Sequence, residues 1–195
     1  MRDLIKMVLV LAILSLVSGG LLAAIRNGTK DQIENQQLTF VKGPAIKTIF
    51  TAAANDPIAD RFKIQDGDVE RTFFVAKIDG KAQSVAFETY GKGFGGDIGL
   101  MVGVNVSDDK MVGAQVTTHS ETPGLGSKAK DDPKFSGQFK GMELKGDFKV
   151  KNDGGQVDAI SGATVSSRGV AGALTDASTV YARLKTQIAQ KLQEF

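Results

Sequence analysis

The chain contains no cysteine, and this excludes disulfide frameworks, thiol nucleophiles, iron–sulfur clusters, c-type haem attachment and the usual structural zinc sets. Any redox work therefore needs a borrowed cofactor. The single histidine, His119, excludes metal sites built on two or more imidazoles and leaves one possible histidine base. Charge of one sign is also scarce. Residues 1–29 hold three Lys/Arg against one Asp, while residues 30–195 hold 21 of each sign. So neutral a body argues against nucleic acid as a partner. A length of 195 residues suffices for one domain with a real core and an appendage.

The appendage is at the amino terminus. Met7 to Ile25 is a run of 19 uncharged residues, and at about 1.5 Å per helical residue it approaches the roughly 30 Å of a bilayer core. A cleaved signal peptide is the rival reading, because Arg2 and Lys6 precede the run and small residues follow at Ser18-Gly19-Gly20 and Ala23-Ala24. The run is taken as one retained span in contact with lipid, making residues 1–29 a membrane anchor. A short inner head and a long translocated domain give a single-pass protein of the cytoplasmic (inner) membrane, with its soluble part on the extracytoplasmic side. The lack of cysteine is compatible with that compartment.

Lys30 to about Asp66 reads as a helical, solvent-facing stalk, with Pro44 and Pro57 as interruptions. From Arg71 the period changes. Thr72 to Ile78, the dipeptide Asp79-Gly80 and Gln83 to Tyr90 form a hairpin by turn chemistry, and Ile98 to Val106 with Met111 to Thr117 form a second. Val170, Leu174, Ala177, Tyr181, Leu184, Ile188 and Leu192 step by three or four, which predicts a carboxy-terminal helix with one apolar stripe, capped by Ser166 or Ser167. That stripe needs a sheet face to pack on. The fold class is α+β: an antiparallel sheet with a carboxy-terminal helix over residues 67–195, behind an anchor and a stalk (30–66).

Sixteen of the 23 glycines fall between Gly91 and Gly169, more than the turns of four or five strands require. They mark three candidate segments. In Tyr90 to Ile98, Gly93, Gly95 and Gly96 surround Phe94 and allow a ligand close to the backbone. His119-Ser120-Glu121-Thr122-Pro123-Gly124-Leu125-Gly126 follows a strand with a fixed Pro-Gly turn, a frequent place for function. Asp158 to Ser167 brings four hydroxyls, on Ser161, Thr164, Ser166 and Ser167, around Gly162 and Ala163 at a helix start. Capping needs one. The free N–H groups and positive dipole end of such a start suit a phosphate. There is no Gly-x4-Gly-Lys-Ser/Thr run, and the glycines at 91–96 do not open a helix, which argues against nucleotide hydrolysis and a Rossmann site.

Together these motifs resemble the FMN-binding domain shared by the G subunit of the Rnf complex and the C subunit of the sodium-translocating NADH:quinone reductase. Ser161-Gly162-Ala163-Thr164 is similar to that family's flavin attachment motif, with Val157 to Ile160 before it and Ser167-Arg168 after it. His119 to Gly126 and Gly93 to Ile98 with Val102-Gly103 are similar to two further signatures, and the resemblance runs from about Arg71 to Leu174. Ser166 stands where relatives often carry Thr.

The resemblance implies a covalent FMN, esterified through its phosphate to Thr164 by a flavin transferase that uses FAD. It implies a site of Ser161, Gly162, Ala163, Val165, Ser166 and Ser167 around Thr164, with His119, Glu121, Thr122, Pro123, Gly124, Leu125 and Gly126 from the second segment and Phe94, Gly95 and Gly96 from the first. The role implied is an electron relay among the other membrane subunits of an ion-translocating ferredoxin:NAD oxidoreductase complex, not a complete enzyme. The corresponding quinone-reductase component and a membrane-tethered FMN-binding sensor are the alternatives. Shorter length favours the Rnf complex.

Overall fold

The computed structural model describes residues 1–195 except Asp79 and the side chain of Asp31. Two compact units divide between Thr39 and Phe40. The first is essentially one helix, α1 (Arg2–Gln37), whose Arg2–Lys30 portion is long and apolar enough to cross a membrane. Leu9, Leu16 and Leu22 and their neighbours all lie exposed on it, as a lipid-facing helix requires and a soluble one avoids.

The helical path continues through one π turn (Leu38–Lys42) into α2 (Gly43–Ile49). Pro44 falls in the first turn of α2, where its missing N–H costs nothing, so it starts this helix and does not interrupt one. The expected stalk over 30–66 therefore needs correction. Helix ends at Ile49, and α2 is not solvent-facing: Ile46, Ile49 and Phe50 are buried. Gly103 makes room for this packing, since a Cβ there would meet Ile49 at 2.4 Å. Arg61–Asp66, expected in the stalk, is an edge strand, β1, whose Phe62 and Ile64 alternate inward.

Five antiparallel strands follow chain order: β1, β2 (Val69–Ile78), β3 (Lys81–Lys92), β4 (Asp97–Asn105) and β5 (Lys110–Val116). The hairpin between β2 and β3 pairs Ile78 with Lys81. Of its expected turn, Asp79 lies outside the described residues and Gly80 adopts φ +75°, the left-handed region that glycine enters without strain. The second expected hairpin pairs Asn105 of β4 with Lys110 of β5.

Between β5 and the carboxy-terminal helix the chain makes two short helices, α3 (Lys128–Asp131) and α4 (Pro133–Gly137), then a 3-10 turn (Lys151–Asp153). One sheet face is covered by the last helix, α5 (Thr164–Leu192), which crosses β3 and β4. The predicted stripe from Val170 to Leu192 is buried along its whole length, against Phe73, Val75, Phe87, Leu100 and Val102. The crossing is closest at two glycines. A Cβ on Gly91 would lie 1.9 Å from the Gly169 carbonyl oxygen, so only glycine lets helix and strand backbones meet there. The buried Thr89 hydroxyl donates to the Ala173 carbonyl at 2.9 Å and fixes the register of the crossing.

Candidate functional site

Three loops converge at the start of α5. They enclose a cleft of about 350 Å³ lined by Phe94, Glu121, Thr122, Leu125, Gly126, Gly162, Ala163, Thr164, Val165 and Ser166. All ten are among the residues singled out in the sequence. The other seven sit beside the cleft or away from it, and their geometry assigns them different work.

The four hydroxyls around Gly162 separate cleanly. Ser167 is fully buried: it donates to the Ala163 carbonyl at 3.0 Å and accepts from the Ile160 N–H at 2.9 Å. Ser166 is also buried and donates to the Glu121 carboxylate. Neither caps the helix, contrary to expectation. The helix begins at Thr164, with Ala163 at the cap position and no side-chain cap bond, three residues before Ser166, so both serines lie inside α5. Ser161 is exposed but lies across the Gly162 turn, on a separate cleft with Lys128, Lys134, Gln138 and Asp158. Gly162 turns the chain with φ +78°. Thr164 alone is partly exposed, faces the main cleft and has a hydroxyl with no protein partner among the described residues.

The first bond within the helix runs from the Ser167 N–H to the Ala163 carbonyl at 3.0 Å. The N–H groups of Thr164, Val165 and Ser166 therefore precede any intrahelical acceptor. With the positive end of a 29-residue helix behind them, they form an anion cradle beside the Thr164 hydroxyl. Across the next turn, Arg168 donates twice to Asp153, at 2.7 Å each, and this hydrogen bonding holds the Asp153 carboxyl below its ordinary range. The pair ties the outer side of α5 to the 3-10 turn without entering the cleft.

The mouth of the cleft is apolar. Phe94, Leu125 and Val165 are 75%, 45% and 43% exposed, three large hydrophobic groups from three different segments. Isolated exposed apolar groups are ordinary, but three around one cleft form a rim suited to a flat aromatic ligand. Gly95 lies outside the cleft and donates its N–H to Glu121 at 2.8 Å, and Gly96 closes the β3–β4 loop by accepting from the Gly93 N–H at 2.8 Å. His119 braces the second loop: its Nδ1 accepts from the Glu121 N–H at 3.2 Å. Pro123 and Gly124 shape the turn from outside, with Gly124 at φ +72°. Gly93, marked in the sequence as part of the first glycine-rich segment, borders the site through Glu121. A Cβ there would come 2.5 Å from a Glu121 oxygen, so its signal is close approach inside an already glycine-rich loop.

A flavin mononucleotide needs a phosphate seat, an apolar slot and a volume within the roughly 300–1,000 Å³ of small-molecule sites. The helix start, the rim and the cleft meet these needs. Residues 93–179 match the family model described as the FMN-binding domain, a span that includes all three loops. The G subunit of the ion-translocating oxidoreductase complex of Cereibacter sphaeroides is 33% identical over 187 residues, covering 92% of this chain and 85% of the relative. That of Methanosarcina acetivorans is 33% identical over 178 residues, covering 90% and 93%. That of Vibrio cholerae is 32% identical over 175 residues, covering 83% and 82%. Among solved structures, the C subunit of the Na(+)-translocating NADH-quinone reductase from Parabacteroides distasonis has the same fold, with TM-score 0.58 and 24% identity over 85% of this chain and 97% of that one. The chain belongs to the family formed by the G subunits of ion-translocating oxidoreductase complexes.

Proposed function

We propose that this protein is a membrane-anchored flavoprotein subunit that carries FMN as a phosphoester on Thr164 and relays electrons among the other subunits of an ion-translocating oxidoreductase complex. One observation carries the attachment point. Of the four hydroxyls in the motif, those of Ser161 and Thr164 are accessible and unpartnered among the described residues, and of these two only Thr164 faces the main cleft beside the open helix amides.

The attachment reaction balances as a phosphoryl transfer. The Thr164 hydroxyl oxygen bonds to the FMN-side phosphorus of FAD, the pyrophosphate bond breaks, AMP leaves, and a base on the flavin transferase takes the hydroxyl proton. This chain presents the nucleophile in a Gly-Ala setting that leaves it uncrowded. Its Thr164, Val165 and Ser166 amides hold the resulting phosphodiester. When bound, the flavin supplies one- and two-electron redox chemistry, which no side chain here can provide. Phe94, Leu125 and Val165 shield the ring from water, and Glu121 and Thr122 are the polar groups of the cleft wall. A covalent link keeps the cofactor outside the cytoplasm, where free flavin is scarce.

The lipid bilayer holds Arg2–Lys30, and the body lies on the outer face of the cytoplasmic membrane. The balanced charge of residues 30–195 offers no resistance to translocation. Protease added to intact spheroplasts then cleaves the body; protection until lysis contradicts this placement. The attachment is tested by Thr164→Val, which keeps the shape and removes the oxygen. Produced beside a flavin transferase, the variant loses in-gel flavin fluorescence after denaturation. A fluorescent variant band places the ester elsewhere.

A further inference from the structure

Glu121 is a carboxylate only 5% exposed, and no cation pairs with it among the described residues. One oxygen accepts the Gly95 N–H at 2.8 Å and the other accepts the Ser166 hydroxyl. Its own N–H is held by His119. Glycines clear the space around it: a Cβ at Gly93 would come 2.5 Å from Oε1, and one at Gly126 would come 2.7 Å from Oε2. A buried carboxylate without a cation is costly to keep for packing alone. The two partners of its carboxylate each lie next to a rim residue. Gly95 adjoins Phe94, Ser166 adjoins Val165, and Leu125 stands on the same loop as Glu121.

We propose that Glu121 is the positioning residue of the cleft: its carboxylate clasps the Gly93–Gly96 loop to the first turn of α5 and so fixes Phe94 relative to Thr164. Besides this clasp, the loop touches the second segment where the Gly95 backbone packs on Ser120, since a Cβ at Gly95 would lie 2.0 Å from the Ser120 carbonyl oxygen. The loop is closed on itself by Gly93 and Gly96, and the bond from Gly95 to Glu121 is the hydrogen bond that ties the loop tip to the rest of the site. The effect on the bound ring rests on the flavin reading above, whereas the clasp itself belongs to the flavin-free chain.

The test uses the full chain in detergent, with Glu121→Leu and Ser166→Ala. The leucine is close to Glu121 in size but has no acceptor, so both bonds are lost; a carboxamide would not serve, because its oxygen can keep the Gly95 bond while its NH2 donates to a rotated Ser166 hydroxyl. Ser166→Ala cuts only the α5 side. In flavin-free protein, amide hydrogen exchange at Phe94–Gly96 accelerates about tenfold in Glu121→Leu and less in Ser166→Ala, as expected when a local restraint is lost. In flavin-loaded protein, the visible circular dichroism of the ring weakens in the same order. Unchanged exchange in both variants overturns the clasp, and so does a fall in melting temperature with exchange and dichroism unmoved. Should Glu121→Leu fail to fold, Ser166→Ala decides alone by the same readouts. If the wild-type chain takes no flavin, the functional reading fails while the exchange comparison still judges the clasp.

Discussion

At the far half of α5, carboxylates that reach the helix meet cations, whereas at its start the buried carboxylate meets an amide and a hydroxyl. Asp109 accepts from Lys185 and from the Tyr181 hydroxyl, both at 2.7 Å. Asp66 accepts a fork from Arg183 at 2.8 and 2.6 Å and a further bond from Arg71 at 2.7 Å. Charges there are matched locally, and the apolar stripe beneath them is continuous. The start of the helix instead leaves three amides open, exposes apolar side chains and buries an acid without a cation. One helix thus joins a region arranged for stability to a region arranged for a ligand. Departures from ordinary folding rules concentrate where binding needs them.

Two substitutions sharpen this contrast beyond those at Thr164 and Glu121. The larger effect on stability is expected from Gly91→Ala, at the point where β3 and the start of α5 touch. The new methyl group would meet backbone at 1.9 and 2.7 Å, which no rotamer change relieves, so the helix must shift. A cost of about 1–3 kcal/mol is expected, read as a melting temperature lower by roughly 2–4 °C per kcal/mol. Flavin labelling falls with it, because the helix start carries the attachment point. Normal stability and labelling together would show that the crossing tolerates separation.

The smaller effect is expected from Asp66→Asn at the other region, and it is pH-dependent. Hydrogen bonds from Arg183, then Arg71, hold the Asp66 carboxyl below its ordinary value. A lowered folded-state pKa contributes stability that is fully present above the unfolded value near 4 and lost as pH falls through the folded value. Wild type therefore exceeds the variant by about 1 kcal/mol at neutral pH, the scale of a partly screened ion pair. The gap closes in acid. Labelling at Thr164 stays unchanged at neutral pH; a gap that does not shrink as pH falls below the unfolded value near 4 removes the ion pair as its cause.

Legibility in the sequence followed the range of the interactions. The stripe of α5 was readable because its period is local and uninterrupted, and the second hairpin because its strands flank a polar turn. The edge strand β1 carried readable alternation in Phe62 and Ile64, with Gly67-Asp68 as its turn, but the helical stretch before it drew the stalk too far. For α2, the same apolar spacing suits a solvent-exposed stalk or a helix packed on the sheet; only the close approach of Ile49 to Gly103 separates them. At the site, glycine clusters and hydroxyls marked the three loops. The partition among those hydroxyls was not readable, because it depends on Glu121, 45 residues from Ser166 and 26 from Gly95. The cap expected from Ser166 or Ser167 failed because the helix begins earlier, at Thr164, which places both serines inside it.

The assignment of one hydroxyl among four is tested most directly by mapping the flavin onto the wild-type chain. Cleavage after Lys151 and Arg168 releases a peptide, Asn152–Arg168, that contains all four. Mass analysis of the labelled protein, with fragmentation of this peptide, places the added phosphoflavin on a single residue. The expected result is one modified species with the entire increment on Thr164 and none on Ser161, Ser166 or Ser167. An increment on any of those serines, or a labelled protein whose Asn152–Arg168 peptide is unmodified, contradicts it.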